Sequence, residues 1–204
     1  MSEPRVYVID DDAAVRDSLA LLLELRGLKP VAYAGAAQFL AECRPDWAGC
    51  VVLDLKMPGM DGLQLQAALA ERSIALPIIF ITGHGDVAHT RSALKAGAVD
   101  FIEKPIDDEL LVATVQRALE RAADERLRRA QAASVAERMQ RLTGRERQVL
   151  GMVTEGKHNR EIAAALGISP RTVEVYKSRM MEKLQVRRLP DLLKLVLGTQ
   201  PPTS

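Results

Sequence analysis

A chain of 204 residues, 48% hydrophobic and 27% charged, has the material for two ordinary globular domains and no run of 18 apolar residues that could span a membrane. Its formal net charge of +1 conceals a division: residues 1–120 hold 18 acidic and 11 basic side chains, residues 121–204 hold 9 and 17. That asymmetry points to a polyanionic partner for the second half alone. Cys43 and Cys50 suit neither a CxxC redox pair nor a zinc cluster, and Met1-Ser2-Glu3-Pro4 lacks a secretory pattern. Reduced cysteines in a cytoplasmic protein are therefore expected.

Arg5 to Ile9 reads as a strand running into Asp10-Asp11-Asp12. From Ala13 to Arg26, Val15, Leu19, Leu22, Leu23 and Leu25 recur at helical spacing until Gly27. Val31 to Tyr33 gives a weak second strand, and a short helix covers Ala36 to Glu42. The apolar, β-branched run Val51-Val52-Leu53 predicts a buried strand ending at Asp54. After the Pro58-Gly59 turn a helix is expected over Gly62 to Glu71. Pro77 to Thr82 is the clearest strand, followed by a helix from Asp86 to Gly97. Val99 to Ile102 makes a fifth strand, and a last helix starts near Asp107 and runs past Leu119. This alternation predicts an α/β fold: a five-stranded, parallel, doubly wound sheet.

In such a sheet, chemistry collects where the strands end. Asp10, Asp11, Asp54, Thr82 and Lys104 all fall at carboxyl ends of predicted strands and should meet in one cleft. Three clustered carboxylates repel one another unless a cation joins them, and hard oxygen ligands with room for water suit Mg²⁺. Thr82 and Lys104 supply the hydroxyl and ammonium that a phosphoryl group on Asp54 would need. Asp54 is thus the expected nucleophile toward a phosphoryl donor. A standalone phosphatase using a strand-end aspartate wants a second acid two residues on, where this chain has Lys56.

Asp-Asp-Asp after the first strand, Asp-Leu-Lys-Met-Pro-Gly-Met-Asp-Gly, Ile-Thr-Gly-His-Gly-Asp and Phe-Ile-Glu-Lys-Pro together resemble the receiver domain of two-component response regulators over residues 4–122. The resemblance implies that Asp10, Asp11, Asp54 and the backbone carbonyl of Lys56 bind Mg²⁺. It makes Asp54 the phosphoacceptor, with Thr82 and Lys104 on the phosphoryl oxygens. Phe101 becomes the aromatic that switches with Thr82 on activation. Asp12 lies one place beyond the metal pair and reads as a helix cap. His84 and His89 have no second ligand at metal spacing and read as loop and surface residues.

Glu120 to Arg141, rich in Ala, Arg, Glu and Gln without Gly or Pro, should be a polar helical connector over 123–141, with Leu127, Val135, Met139 and Leu142 as sparse apolar points. Beyond it, residues 142–204 hold no strand-like stretch. Thr143 and Glu146 form a capping box opening a helix from Gly144 to Thr154. Asn159 to Leu166 is a second helix, closed by Gly167; Ser169 caps a third that starts at Pro170 and ends near Leu184; Pro190 to Leu197 is a fourth. Two short helices around a Gly-containing turn read as helix-turn-helix within an all-α four-helix domain. In the third helix Val173, Tyr176, Met180 and Leu184 should face inward. Arg171, Glu174, Val175, Ser178 and Arg179 are the candidates for base-edge contact, Lys177, Lys183, Arg187 and Arg188 for phosphate, and Thr172 is a further expected DNA-binding residue. With 3% aromatic residues, duplex DNA fits better than a single strand.

Leu142-Thr143-x-Arg145-Glu146, Asn159-x-Glu161-Ile162-Ala163 and Ser169-x-x-Thr172-Val173 with Lys183-Leu184 resemble the LuxR-type DNA-binding domain. The whole arrangement is similar to the FixJ/NarL family. One departure is Glu174, where many such domains carry lysine; an acid there can accept from cytosine N4. The combined resemblance implies a phosphoryl-switched transcription factor rather than an enzyme, with at most slow self-dephosphorylation. Implied partners are a sensor histidine kinase, promoter DNA, RNA polymerase and a second copy of the chain, paired through a face carrying Arg91 and Lys95. The alternative is a regulator or adaptor that acts through protein contacts without phosphorylation.

Overall fold

A computed structural model describes residues 3–83 and 100–197. The chain divides into two compact units, Met1–Arg126 and Leu127–Ser204. In the first, strands β1 (Arg5–Ile9), β2 (Pro30–Tyr33), β3 (Gly49–Asp54), β4 (Ile78–Thr82) and β5 (Asp100–Glu103) form one sheet in the order β2-β1-β3-β4-β5. Every described neighbour pair is parallel. Helices α1 (Ala13–Leu25), α2 (Ala36–Glu42), α3 (Gly62–Glu71) and α4 (Asp108–Gln140) connect or follow them. The predicted helix from Asp86 to Gly97, with His84, His89, Arg91 and Lys95, lies outside the described residues.

Strand alternation divides the core. Tyr7, Ile9, Val51, Leu53 and Phe80 join Phe39 of α2 and Leu65 and Leu69 of α3 on one face. Val6, Val8, Val52, Ile79 and Ile81 join Leu19 and Leu23 of α1 and Leu111 and Val115 of α4 on the other. A parallel sheet buried on both sides needs apolar residues at consecutive positions, which is why β3 reads as an unbroken run. That strand is longer than the apolar signal because Gly49 pairs with Arg5. Gly49 has φ +134°, and a Cβ there would sit 1.8 Å from the Arg5 carbonyl oxygen, so no other residue fits. At β4 the predicted start, Pro77, falls away: proline has no N–H for the ladder, although its carbonyl still accepts from Val51 N–H at 2.9 Å.

The carboxylate of Asp107 accepts from Leu110 N–H (2.9 Å) at the head of α4. With no Gly or Pro within it, α4 continues for 33 residues, and the boundary between the two units falls inside this helix. No described helix is long and apolar enough to cross a membrane.

The second unit contains α5 (Gly144–Thr154), α6 (Asn159–Leu166), α7 (Pro170–Leu184) and α8 (Leu189–Leu197). Their ends follow the sequence signals. Thr143 and Glu146 form a reciprocal capping box, Ser169 caps α7 with Pro170 in its first turn, and Gly167 closes α6 in the left-handed conformation. Leu142, Val149, Ile162, Val173, Met180, Leu184 and Leu192 make the core, with Met139 packed against it. Of the connector's other apolar points, Val135 is buried and Leu127 exposed.

Candidate functional site

The order β2-β1-β3 reverses direction between β1 and β3, the switch point of an open α/β sheet, and loops there splay apart to leave a crevice. Asp10 follows β1 and Asp54 ends β3, so the two carboxylates flank that crevice. Both are buried, at 2% and 7% exposure, as is Thr82 at the end of β4. Lys104, just past β5 and about a third exposed, reaches in from the next loop: its Nζ lies 2.7 Å from Asp54 Oδ1 and 3.3 Å from Asp10 Oδ2. Asp54 Oδ2 accepts from Lys56 N–H at 2.8 Å. Asp12 N–H donates to Asp10 Oδ1 (2.8 Å), while the Asp12 carboxylate caps α1 through Ala14 and Val15 N–H. The Thr82 hydroxyl donates to Gly83 O (3.2 Å), Phe101 is half-buried against the α2–α3 core, and Asp11 is exposed.

Burial pushes the Asp54 carboxyl above the ordinary range, a rise that Lys104 and the Lys56 N–H oppose and the charge of Asp10 reinforces. Burial pulls Lys104 the other way, but Asp54 and Asp10 outweigh it and leave the ammonium favoured. The carboxylate is the more deeply buried partner of the pair, and the ammonium is the partner in contact with solvent.

Among the described residues no group of three or more acidic, histidine or cysteine side chains converges as a ready metal cage. The donor set nevertheless fits Mg²⁺, which is commonly held by one or two carboxylates and keeps its remaining positions for water and phosphate. Asp10 and Asp54 already face one cation, the Lys104 ammonium, and Asp11, the next residue after Asp10, is exposed.

Two residues that serve this cleft carry little signal in the sequence. Gly62, the first residue of α3, is buried; a Cβ there would lie 2.7 Å from the Asp54 carbonyl oxygen and 2.9 Å from the Phe80 ring. It lets α3 approach the strand that ends at Asp54, and its place after the cap Asp61 hints at this. Arg16 donates from Nη1 to the Asp10 carbonyl oxygen at 2.8 Å. A cation in the first turn of a helix, against the macrodipole, was the available clue.

In the second unit, Arg171, Glu174, Val175, Ser178 and Arg179 of α7 are exposed, Val173, Met180 and Leu184 are buried, and Thr172 and Tyr176 lie between. Thr172 N–H donates to Ser169 Oγ (3.1 Å), part of the α7 cap. Lys177 Nζ donates to Asn159 Oδ1 (3.1 Å), tying α7 to the start of α6. Lys183, an expected phosphate contact, holds the buried Glu146 carboxylate at 2.7 and 3.0 Å. Arg187 and Arg188 are exposed, the latter paired with Asp191.

Comparison with known proteins covers both units. The response regulator receiver domain model matches residues 6–116, and the model for bacterial regulatory proteins of the luxR family matches 140–196. The transcriptional regulatory protein FixJ of Azorhizobium caulinodans is 45% identical over 94% of this chain and 91% of its own. FixJ of Rhizobium meliloti is 41% identical over 97% of each, and nodulation protein W of Bradyrhizobium diazoefficiens 40% identical over 93% and 84%. The solved structure of the response regulator StyR matches with TM-score 0.89 and 41% identity, covering 97% of this chain and 100% of that one. Full-length FixJ from B. japonicum matches with TM-score 0.61 and 40% identity over 98% and 100%. A receiver fold, a LuxR-type helix-turn-helix and full-length relatives on both counts lead to one conclusion: the chain belongs to the two-component response regulators, as a homologue of the FixJ transcriptional regulators.

Proposed function

We propose that Asp54 accepts a phosphoryl group from a sensor histidine kinase, and that this modification controls pairing of the chain and its binding to promoter DNA. The observation that carries the reading is the convergence of Lys104 Nζ on Asp54 Oδ1 (2.7 Å) and Asp10 Oδ2 (3.3 Å) from three separate strand ends. Asp54 attacks phosphorus through a carboxylate oxygen; the P–O bond forms as the donor's P–N bond breaks, and the departing imidazole takes up a proton. Lys104 and the Thr82 hydroxyl hold the phosphoryl oxygens. Asp10, Asp11, Asp54 and the Lys56 carbonyl would hold Mg²⁺, which offsets the charge brought together by carboxylates and phosphate. Water attacking the acyl phosphate restores the carboxylate slowly; no other turnover is assigned.

Residues 1–122 would act as receiver, 123–141 as connector and 142–204 as DNA-binding domain, in a cytoplasmic protein that meets RNA polymerase at its promoters. Phe101 would follow Thr82 on phosphorylation and reshape the face bearing Arg91 and Lys95, through which two copies pair. Pairing sets two copies of α7 against an inverted repeat. Arg171, Glu174, Val175, Ser178 and Arg179 read base edges, with Thr172, Lys177 and Lys183 bracing the helix beside the backbone.

The test is incubation of the full chain with acetyl phosphate, with and without Mg²⁺. One alkali-labile phosphoryl group per chain is expected, on the peptide containing Asp54, and chelation of Mg²⁺ should prevent it. Labelling that is independent of Mg²⁺ or lies on another residue would contradict the reading.

A further inference from the structure

We infer that Arg16 is a positioning residue of the cleft, holding the Asp10–Asp11 peptide so that the two acids present their carboxylates in the orientation that Mg²⁺ requires. This rests on the metal-assisted reading above.

Helix stability does not account for Arg16. The first turn of α1 contains no acid and does contain this arginine, although a helix N-terminus favours negative side chains and disfavours positive ones. The helix start is instead fixed by Asp12, whose carboxylate takes the Ala14 and Val15 N–H groups. Arg16 turns back toward the sheet, and Nη1 donates to the carbonyl oxygen of Asp10 at 2.8 Å.

That carbonyl lies beyond the strand ladder: the last registered pairs of β1 are Ile9 with Tyr33 and Ile9 with Leu53. The other polar groups of Asp10 have partners already. Its N–H donates to Tyr33 O (3.3 Å), Oδ1 accepts from Asp12 N–H (2.8 Å), and Oδ2 faces Lys104 (3.3 Å). Arg16 completes the set. Because the peptide unit is planar, fixing the Asp10 carbonyl also fixes the Asp11 nitrogen and Cα, the point from which the Asp11 side chain leaves the backbone. Asp11 is exposed, so its aim depends on the backbone rather than on packing. Groups that orient ligands without touching the metal commonly change its affinity by about 10- to 100-fold.

Charge and positioning act with opposite signs, which makes the role testable. A guanidinium beside a cation site repels Mg²⁺, so if Arg16 acted by charge alone its removal would tighten metal binding. If it positions the acids, removal loosens it. The experiment is calorimetric titration of the full chain with Mg²⁺ in wild type, Arg16→Met and Arg16→Lys, with amide hydrogen exchange of the metal-free proteins. Arg16→Met should raise the Mg²⁺ Kd about tenfold and speed exchange at Asp11 and Asp12 while β3 stays protected. Arg16→Lys, a donor of similar reach, should stay within about threefold of wild type. An Arg16→Met chain that binds Mg²⁺ as well as or better than wild type overturns the inference, as does Arg16→Lys no better than Arg16→Met. A wild-type chain that does not bind Mg²⁺ refutes the underlying metal reading instead.

Discussion

Replacing Asp54 with asparagine is expected to reduce phosphoryl labelling of the full chain to background while leaving the receiver folded. The amide nitrogen is no nucleophile, and no second acid stands two residues on, where the chain has Lys56. Asp10 is just as deeply buried, but Oδ1 is held by Asp12 N–H and its carbonyl by Arg16, so it is a poor substitute. Stability should move the other way from activity. Burial and the neighbouring Asp10 hold the Asp54 carboxyl above its ordinary range, so the ionised form is disfavoured in the fold. An uncharged isostere relieves that repulsion and should give a thermal midpoint no lower than that of wild type. Trp47, the only tryptophan, stacks on Tyr7 in the receiver (ring centroids 4.8 Å apart) and reports this transition by fluorescence. Mass spectrometry after acetyl phosphate treatment measures the label. Persistent labelling would place the acceptor elsewhere.

A second large effect is expected in the DNA-binding unit, where Glu146→Ala should destabilise α5 and its packing on α7 by about 2–3 kcal/mol. Glu146 is 2% exposed and does two jobs: its carboxylate accepts the Thr143 N–H at 2.7 Å, and it holds Lys183, 37 residues away, at 2.7 and 3.0 Å. Loss of the cap alone costs about 1 kcal/mol. Lys183, a third exposed, regains water when its partner is removed, which keeps the remainder below the about 3–5 kcal/mol of a fully buried pair. Burial works to raise the Glu146 carboxyl, but Lys183 and the Thr143 contacts outweigh it and hold it below the ordinary 4.5. A depressed carboxyl stabilises the fold above its unfolded value, and that contribution is lost as pH falls through the folded one. Wild type should therefore lose α5 stability on acidification below about pH 4.5, and Glu146→Ala should lack that component of the slope. Native-state hydrogen exchange of α5 in the full chain measures both; equal opening energies in the two proteins would show that the pair contributes nothing.

The strand ends were legible because a buried parallel strand needs an uninterrupted apolar run, so each acid, hydroxyl or ammonium that stops one is conspicuous. Asp10, Asp54, Thr82 and Lys104 stood out that way, and the caps Asp12, Thr143 and Ser169 followed from side chains that compete with backbone near helix starts. Contacts between distant segments left no such trace. Lys183 and Lys177 have the spacing of outward lysines, but Glu146 occupies the first and Asn159 the second. Periodicity assigns a face but not a partner. Gly62 and Arg16 were hidden for a related reason: a close approach to the Asp54 carbonyl and a hydrogen bond to the Asp10 carbonyl involve backbone atoms that every residue carries.

Glu174 and Val175 are both exposed on α7, and in the proposed reading they bring an acid and an apolar side chain to the base edges. The most direct test of the central claim, that a phosphoryl group on Asp54 governs DNA binding, is genome-wide mapping of the DNA bound by the wild-type chain and by Asp54→Asn. The account predicts discrete inverted-repeat sites occupied by wild type under phosphorylating conditions and depleted in the variant. Identical occupancy by both proteins would contradict it.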